Sequence, residues 1–178
     1  MRKQAVTAVL FVLCGPMAWP QAPSQKPQPG PEHKKLAYMV GKWASEDELK
    51  PGLYGPGGKM TSTSTCEWFT GEFAVICRSD AKSPMGEEKA LSIMSYDTGQ
   101  GHYIYFETNT SGENVVAKGT LEGRTWTWTG ESRMGGKVYR NRFIMTELPP
   151  DGTSYKFDMA EGDGPWAEVM NGKQTRVK

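Results

Sequence analysis

The chain has 178 residues, with 21 lysines and arginines against 20 acidic side chains and a formal charge of +1. A length of this order fits one domain once an N-terminal leader is set aside. Near-neutrality without a basic run excludes nucleic acid and acidic membranes as the main partner, and points to a small one that is uncharged overall.

Arg2 and Lys3 precede an apolar run over 5–13, and the small residues Ala18 and Ala22 follow it. This predicts a signal peptide over 1–22 and an exported protein, periplasmic or secreted. The run is too short to span a bilayer, and no other segment of the sequence is long and apolar enough to do so. A lipid anchor at Cys14 is disfavoured, because Phe11 and Leu13 stand where a small residue is wanted. Without Arg2 and Lys3, 19 basic residues face 20 acidic ones, a formal charge of −1. Residues 20–31 read PQAPSQKPQPGP, an extended solvated composition. We therefore expect a linker over 23–31 and a folded domain over 32–178.

The first element is a short helix over 31–40, started by Pro31, carrying Leu36, Met39 and Val40 on one stripe and stopped by Gly41. It suits a lid on one end of a barrel. Gly41-Lys42-Trp43 then reads as the entry corner: Gly41 can take φ > 0, and the Trp43 ring can close a barrel floor. Alternation and turn residues place strands at 43–48, 59–69, 73–79, 89–96, 102–107, 114–121, 124–131, 137–148, 154–160 and 166–176. GLYGPGG over 52–58 is a flexible loop, and DTGQG over 97–101 is a turn. Connections this short forbid parallel crossovers. The expected fold is all-β, an antiparallel up-and-down barrel of about ten strands with a short N-terminal helix.

The second and third strands carry the two cysteines that remain once Cys14 leaves with the leader. A type II′ turn on Gly71-Glu72 sets Thr70 opposite Phe73 and, counting back, Cys66 opposite Cys77. The pair falls at a hydrogen-bonded position with a Cα separation of about 5.5 Å, inside the disulfide range. An even pair in an oxidising compartment then predicts a Cys66–Cys77 disulfide. His33 and His102 are distant in sequence, so no metal site or catalytic thiol is read here.

Further along, Trp126 and Trp128 share one face of RTWTWTG and should point inward, with Thr125, Thr127 and Thr129 outward. Tyr155, Phe157 and Met159 form a second inward file, with Lys156 and Asp158 pointing away. Tyr139, Phe143 and Met145 form a third, shared with Asn141, with Arg140 and Arg142 toward solvent. Eight methionines follow the leader, and core filling is favoured over an adaptable ligand lining as their use.

The corner Gly41 and Trp43, the hairpin EWFTGEF over 67–73, Ser95-Tyr96-Asp97 followed by Tyr103, and the closing Thr175-Arg176 carry a resemblance. The chain resembles the calycin superfamily, and more narrowly an exported bacterial lipocalin-like family of unknown function that is distantly similar to nitrobindin. The resemblance implies a calycin-like barrel, an architecture with room for a cavity, and covers nearly all of 36–178. Nitrobindin-like barrels hold haem through a histidine near the C-terminal end. Here that stretch reads PWAEVMNGKQTRVK, so neither haem nor another cofactor is expected, and His102 is read as solvent-facing.

The leading functional expectation is a binding module for a small apolar or amphipathic molecule, lined by Trp126, Trp128, Tyr155, Phe157 and Met159. Tyr105, Asn141, Glu107 and Glu168 are the candidates to orient it. An enzyme using Asp97, Glu107, Glu161 or Glu168 is a weaker reading, because no nucleophile elbow, metal motif or phosphate loop accompanies them. A solid-core envelope protein is the third. Oligomeric state is not legible.

Overall fold

The computed structural model describes residues 26–53 and 55–177. The expected signal peptide, the Cys14 question and the start of the linker lie outside them. Ten strands follow a short helix: β1 (Gly41–Leu49), β2 (Gly58–Trp68), β3 (Ala74–Ser83), β4 (Gly86–Asp97), β5 (His102–Asn109), β6 (Asn114–Glu122), β7 (Thr125–Met134), β8 (Lys137–Leu148), β9 (Gly152–Glu161) and β10 (Ala167–Val177). Each pairs antiparallel with its sequence neighbour, and β1 pairs with β10 to close the barrel, as the alternation predicted. Among the described residues no helix is long and apolar enough to cross a membrane.

Strands β3 and β4 run further than expected, to Ser83 and from Gly86, around a tight Pro84-Met85 turn. The intervening charges hid them: Lys82 pairs with Glu87 at 2.9 Å and Lys89 with Asp80, cross-strand on the outer face. Charge reads as loop in a sequence, but on a barrel exterior it is the polar half of an alternation.

The helix α1 (Pro31–Lys35) passes into a 3₁₀ turn, Leu36–Met39, before Val40 turns extended. It plugs one barrel end. Leu36 is fully buried and packs with Met39, Trp43, Val75, Tyr103 and Trp126. Polar bonds seat the plug as well: Trp43 Nε1 donates to the Met39 carbonyl at 2.8 Å, Tyr38 Oη to the Gly152 carbonyl at 2.6 Å, and Tyr103 Oη to Glu32 Oε2 at 2.8 Å. His33 is buried edge-on against Phe73 and Tyr96.

Arg176 fastens this floor. As the β10 register partner of Trp43, it lays its guanidinium 4.2 Å from the indole centroid, and it donates to the Val40 carbonyl and, at 3.1 Å, to the Tyr38 carbonyl. Gly41 sits at φ +137°, and a Cβ there would strike the Arg176 guanidinium. The corner glycine therefore serves two needs, a backbone conformation and the space for Arg176.

The Cys66–Cys77 disulfide is present, and the register Glu67↔Ile76, Trp68↔Val75 is the expected one. The turn is not. Phe69 N–H donates to the Ala74 carbonyl and Glu72 N–H to the Phe69 carbonyl, so the loop is Thr70–Phe73 with Gly71 at the third position of a β-turn, φ +92°, and Glu72 also at positive φ. That loop makes Phe69/Ala74 the hydrogen-bonded pair. Counting three pairs down, Cys66/Cys77 becomes a non-hydrogen-bonded one, in keeping with its Cα separation of 4.0 Å rather than the predicted spacing.

The outer face of β8 and β9 also departs from expectation. Arg142 donates to Asp158 at 2.7 Å, Lys156 adds a contact at 3.2 Å, and Trp166 folds across Arg142 at 4.4 Å. Asp158 points away from the interior yet is buried, and Arg142 is half-buried rather than free in solvent.

Two outcomes follow. Arg176→Ala removes two charge-assisted bonds and a cation–π contact, and should destabilise the fold by about 3 kcal/mol in urea unfolding, with Arg176→Lys recovering less than half because an ammonium lacks the fork. Replacing Cys66 and Cys77 together by serine should cost about 3 kcal/mol, the loop-closure value for a ring of this size, while leaving the far-ultraviolet spectrum unchanged.

Candidate functional site

Strand alternation turns every second residue inward. On β1, Trp43, Ser45, Asp47 and Leu49 are buried, while Glu46 and Glu48 between them are exposed. Repeated around the ring, this encloses a cavity of about 1050 Å³ that runs from Met39 and Trp43 at the floor to Met85, Gly112 and Met134 at the opposite rim. The barrel is therefore packed in its lower half and hollow in its upper half.

Two tyrosine–carboxylate pairs stand on facing walls. On one, Tyr155 of β9 donates to Asp47 of β1 across the strand between them. The register row is Asp47↔Gly172↔Tyr155, and a Cβ on Gly172 would collide with the Asp47 carboxylate. The missing side chain of β10 is what lets these partners meet. Ser45 Oγ donates to the second Asp47 oxygen at 2.7 Å and lies 2.8 Å from Ser62 Oγ. Burial holds the Asp47 carboxyl above its ordinary range against these bonds, and burial, then the bond to Asp47, pushes the Tyr155 hydroxyl up.

On the other wall Tyr105 donates to Glu107, two residues along β5. Burial lifts the Tyr105 hydroxyl far above its usual value, with the Glu107 charge adding to it; burial also raises the Glu107 carboxyl, and the nearby Glu88 and Glu113 charges add. Trp128 closes this side. Its ring lies over Gly119, where a Cβ would come within 2.5 Å of it, and 5.7 Å from the Tyr105 centroid.

Trp128, Tyr155, Phe157, Tyr105, Asn141 and Glu107 all line the cavity. Trp126 does not. It is fully buried in the floor, 4.8 Å from Tyr103 between ring centroids, with Nε1 donating to Glu147 at 2.8 Å. Met159, although inward on β9, borders a separate pocket of about 320 Å³ with Tyr139 and Leu53. Glu168 is an exterior residue bonded to Asn171 at 2.7 Å. Among the other acids, Asp97 caps the β4–β5 turn through the Gly99 amide at 2.8 Å and Glu161 pairs with Lys137 at 2.8 Å, so Glu107 alone of that set faces the interior. His102 is partly exposed at the start of β5.

Seven of the eight methionines of the described residues line the main cavity, Met159 being the exception. Four of the eight, Met39, Met94, Met145 and Met159, are buried core residues, as core filling predicts, and the first three of these also border the cavity. Sequence reasoning also missed Asp47, Glu88, Thr153 and the stripe Ser62, Ser64 on β2. Asp47 sits in Glu46-Asp47-Glu48, where three acids in a row suggest a solvated surface, and β2 is polar on both faces. Counting by twos reaches Asp47 from Trp43, Ser64 and Ser62 from Cys66, Glu88 from Met94 and Thr153 from Tyr155.

Residues 28–176 match the family described as "Protein of unknown function (DUF1579)". The fold is shared with the crystal structure of Rv2717c from M. tuberculosis, at 12% identity and a TM-score of 0.59 over 85% of this chain and 100% of that one. It is also shared with the S-type phycobiliprotein lyase CPES from Guillardia theta, at 10% identity and a TM-score of 0.56 over 83% and 93%. No curated protein matches the chain by sequence.

Raised carboxyl values make the site acid-stabilised. The folded chain keeps the Asp47 and Glu107 protons to higher pH than the unfolded chain, so their contribution is complete below about pH 4 and is lost as pH rises through the raised native values. Thermal melts should show Glu107→Gln and Asp47→Asn each flattening the decline in Tm between about pH 4 and 7. A decline as steep as the parent's in both variants would contradict this assignment.

Proposed function

The chain belongs to the DUF1579 family, and from that membership and the interior of its barrel we propose an exported binding module that shelters a small amphipathic molecule. The carrying observation is the cavity of about 1050 Å³, just above the range of about 300–1,000 Å³ usual for small-molecule pockets. Its walls match such a ligand: Trp128, Phe143, Phe157 and the methionines offer apolar area, and the Asp47–Tyr155 and Glu107–Tyr105 pairs offer fixed polar groups. Burying about 300 Å² of apolar ligand surface contributes about 7 kcal/mol before the cost of association.

The reading is of a binder rather than an enzyme. Each carboxylate of the two interior pairs is engaged by a tyrosine hydroxyl, and the soft, flexible lining favours adaptation to shape over the fixed geometry that catalysis needs. Export is supported by the basic and apolar leader over 1–22 and by the disulfide, a bond that persists in oxidising compartments.

A neutral fluorescent probe, N-phenyl-1-naphthylamine, should bind saturably at one site per chain and quench tryptophan emission through Trp128. Ser79→Trp, which places an indole among the lining residues, should weaken that binding at least about tenfold, or 1.4 kcal/mol. Equal affinity in the variant would overturn the interior as the site.

A further inference from the structure

We infer that the ligand of this cavity is an amphipathic amine, whose protonated nitrogen is held by Glu88 and Glu107 on β4 and β5 while its apolar body lies along the methionine and aromatic walls. The inference rests on the binding-module reading and adds the chemical class of the ligand. It departs from the overall near-neutrality of the chain, which by itself suggests an uncharged partner.

Charge is the first argument. Among the described residues, the acids on the inward files of the cavity are Asp47, Glu88 and Glu107, with the exposed Glu113 at the rim, and no basic side chain borders the cavity from those files; Glu131 and Arg133 border it from the outward, exposed file of β7. Other cations near these strands are engaged elsewhere: Lys89 pairs with Asp80 and Lys82 with Glu87 on the outside, and Arg176 is committed to the floor. Glu88 and Glu113 act on Glu107 as like charges, so this wall is short of positive charge. A bound cation would relieve it.

Unused hydrogen-bonding capacity is the second argument. Among the described residues, Glu88 Oε1 is shielded from solvent without a partner, and so is Thr153 Oγ1, on a residue only 2% exposed. Both residues line the cavity, on strands five places apart in the ring of ten, Thr153 near the floor beside Gly152 and Glu88 near the rim beside Gly86. Buried polar atoms in folded proteins are rarely left this way. An orphaned carboxylate oxygen calls for a donor, which an ammonium with N–H groups supplies and a carboxylate or sulfate head group does not.

The test uses the full-length mature protein at about pH 7.5 and low salt, with bound N-phenyl-1-naphthylamine as the neutral reporter and two competitors that share a tail, dodecylammonium and dodecyl sulfate, below their micellar concentrations. Dodecylammonium should displace the reporter at a concentration at least about tenfold lower than dodecyl sulfate. Glu88→Gln, which breaks no bond of the fold, should reduce that preference, and Glu88→Gln with Glu107→Gln should abolish it, since the amide oxygen can still accept from Tyr105. Glu46→Gln, on the outer face, should leave it intact. Equal displacement by both competitors, or a preference that survives the double substitution, overturns the amine assignment while the cavity reading stands. Failure of the neutral reporter to bind overturns both.

Discussion

The seam between β1 and β10 is the contact on which the rest of the barrel depends. Every other ladder joins strands adjacent in sequence, so it can form locally around a short turn. Closing the ring alone requires Trp43 to find Arg176, with nearly the whole domain as the intervening loop. Loop-closure entropy opposes such a contact, and concentrated favourable interactions must offset it. The Arg176 guanidinium provides them on three sides, over the Trp43 ring and onto the carbonyls of Val40 and Tyr38. Because those carbonyls belong to the plug, ring closure and floor closure are one event. Two glycines make the seam possible, Gly41 beside Arg176 and Gly172 beside Asp47, each standing where a neighbour's side chain must pass.

Above this floor the interior changes character. Leu36, Trp126, Tyr103 and Val75 form a dry, interlocked base, whereas the walls higher up mix thioethers, hydroxyls and carboxyls. The wall made by β2 and β3 has few large side chains, with Ser62, Ser64 and Ser79 facing in. Small residues give it little apolar area to bury, and the Cys66–Cys77 bond, itself buried in the floor cluster, ties these strands together at their base. The adjoining wall of β1, β10 and β9 is stiffened by Tyr155 reaching over Gly172 to Asp47. A hollow barrel thus holds its shape through a covalent tie and a buried polar bond on neighbouring walls.

Much of the architecture was legible because barrel strands declare themselves by contrast. RTWTWTG shows an apolar file against a threonine file, and the strand it forms carries Trp126 and Trp128 inward as read. Where contrast was missing, legibility failed in a definable way. The charges of 80–89 concealed the ends of β3 and β4, and the acids at 46–48 concealed Asp47. The hairpin offers a subtler case: Cys66 was paired correctly with Cys77 from a wrong turn, because the four-residue loop keeps the same partners while exchanging hydrogen-bonded for non-hydrogen-bonded pairs. Of the proposed lining, Trp126 and Met159 were placed on the correct face but at the wrong height, since period-two alternation reports a side and carries no depth.

By itself, the sequence determined the all-β class, the strand count, the antiparallel meander, the corner at Gly41 and Trp43, and the disulfide partners. These follow from local periodicity, turn chemistry and short connections, which act within one hairpin. The tertiary structure alone decided that the barrel is hollow above its floor, that methionines border that hollow, that Asp47 meets Tyr155 over a glycine, and that Glu88 Oε1 and Thr153 Oγ1 are left without partners among the described residues. Those properties depend on the stagger between strands distant in sequence and on the volume left after the ring closes, and no local pattern of residues encodes either.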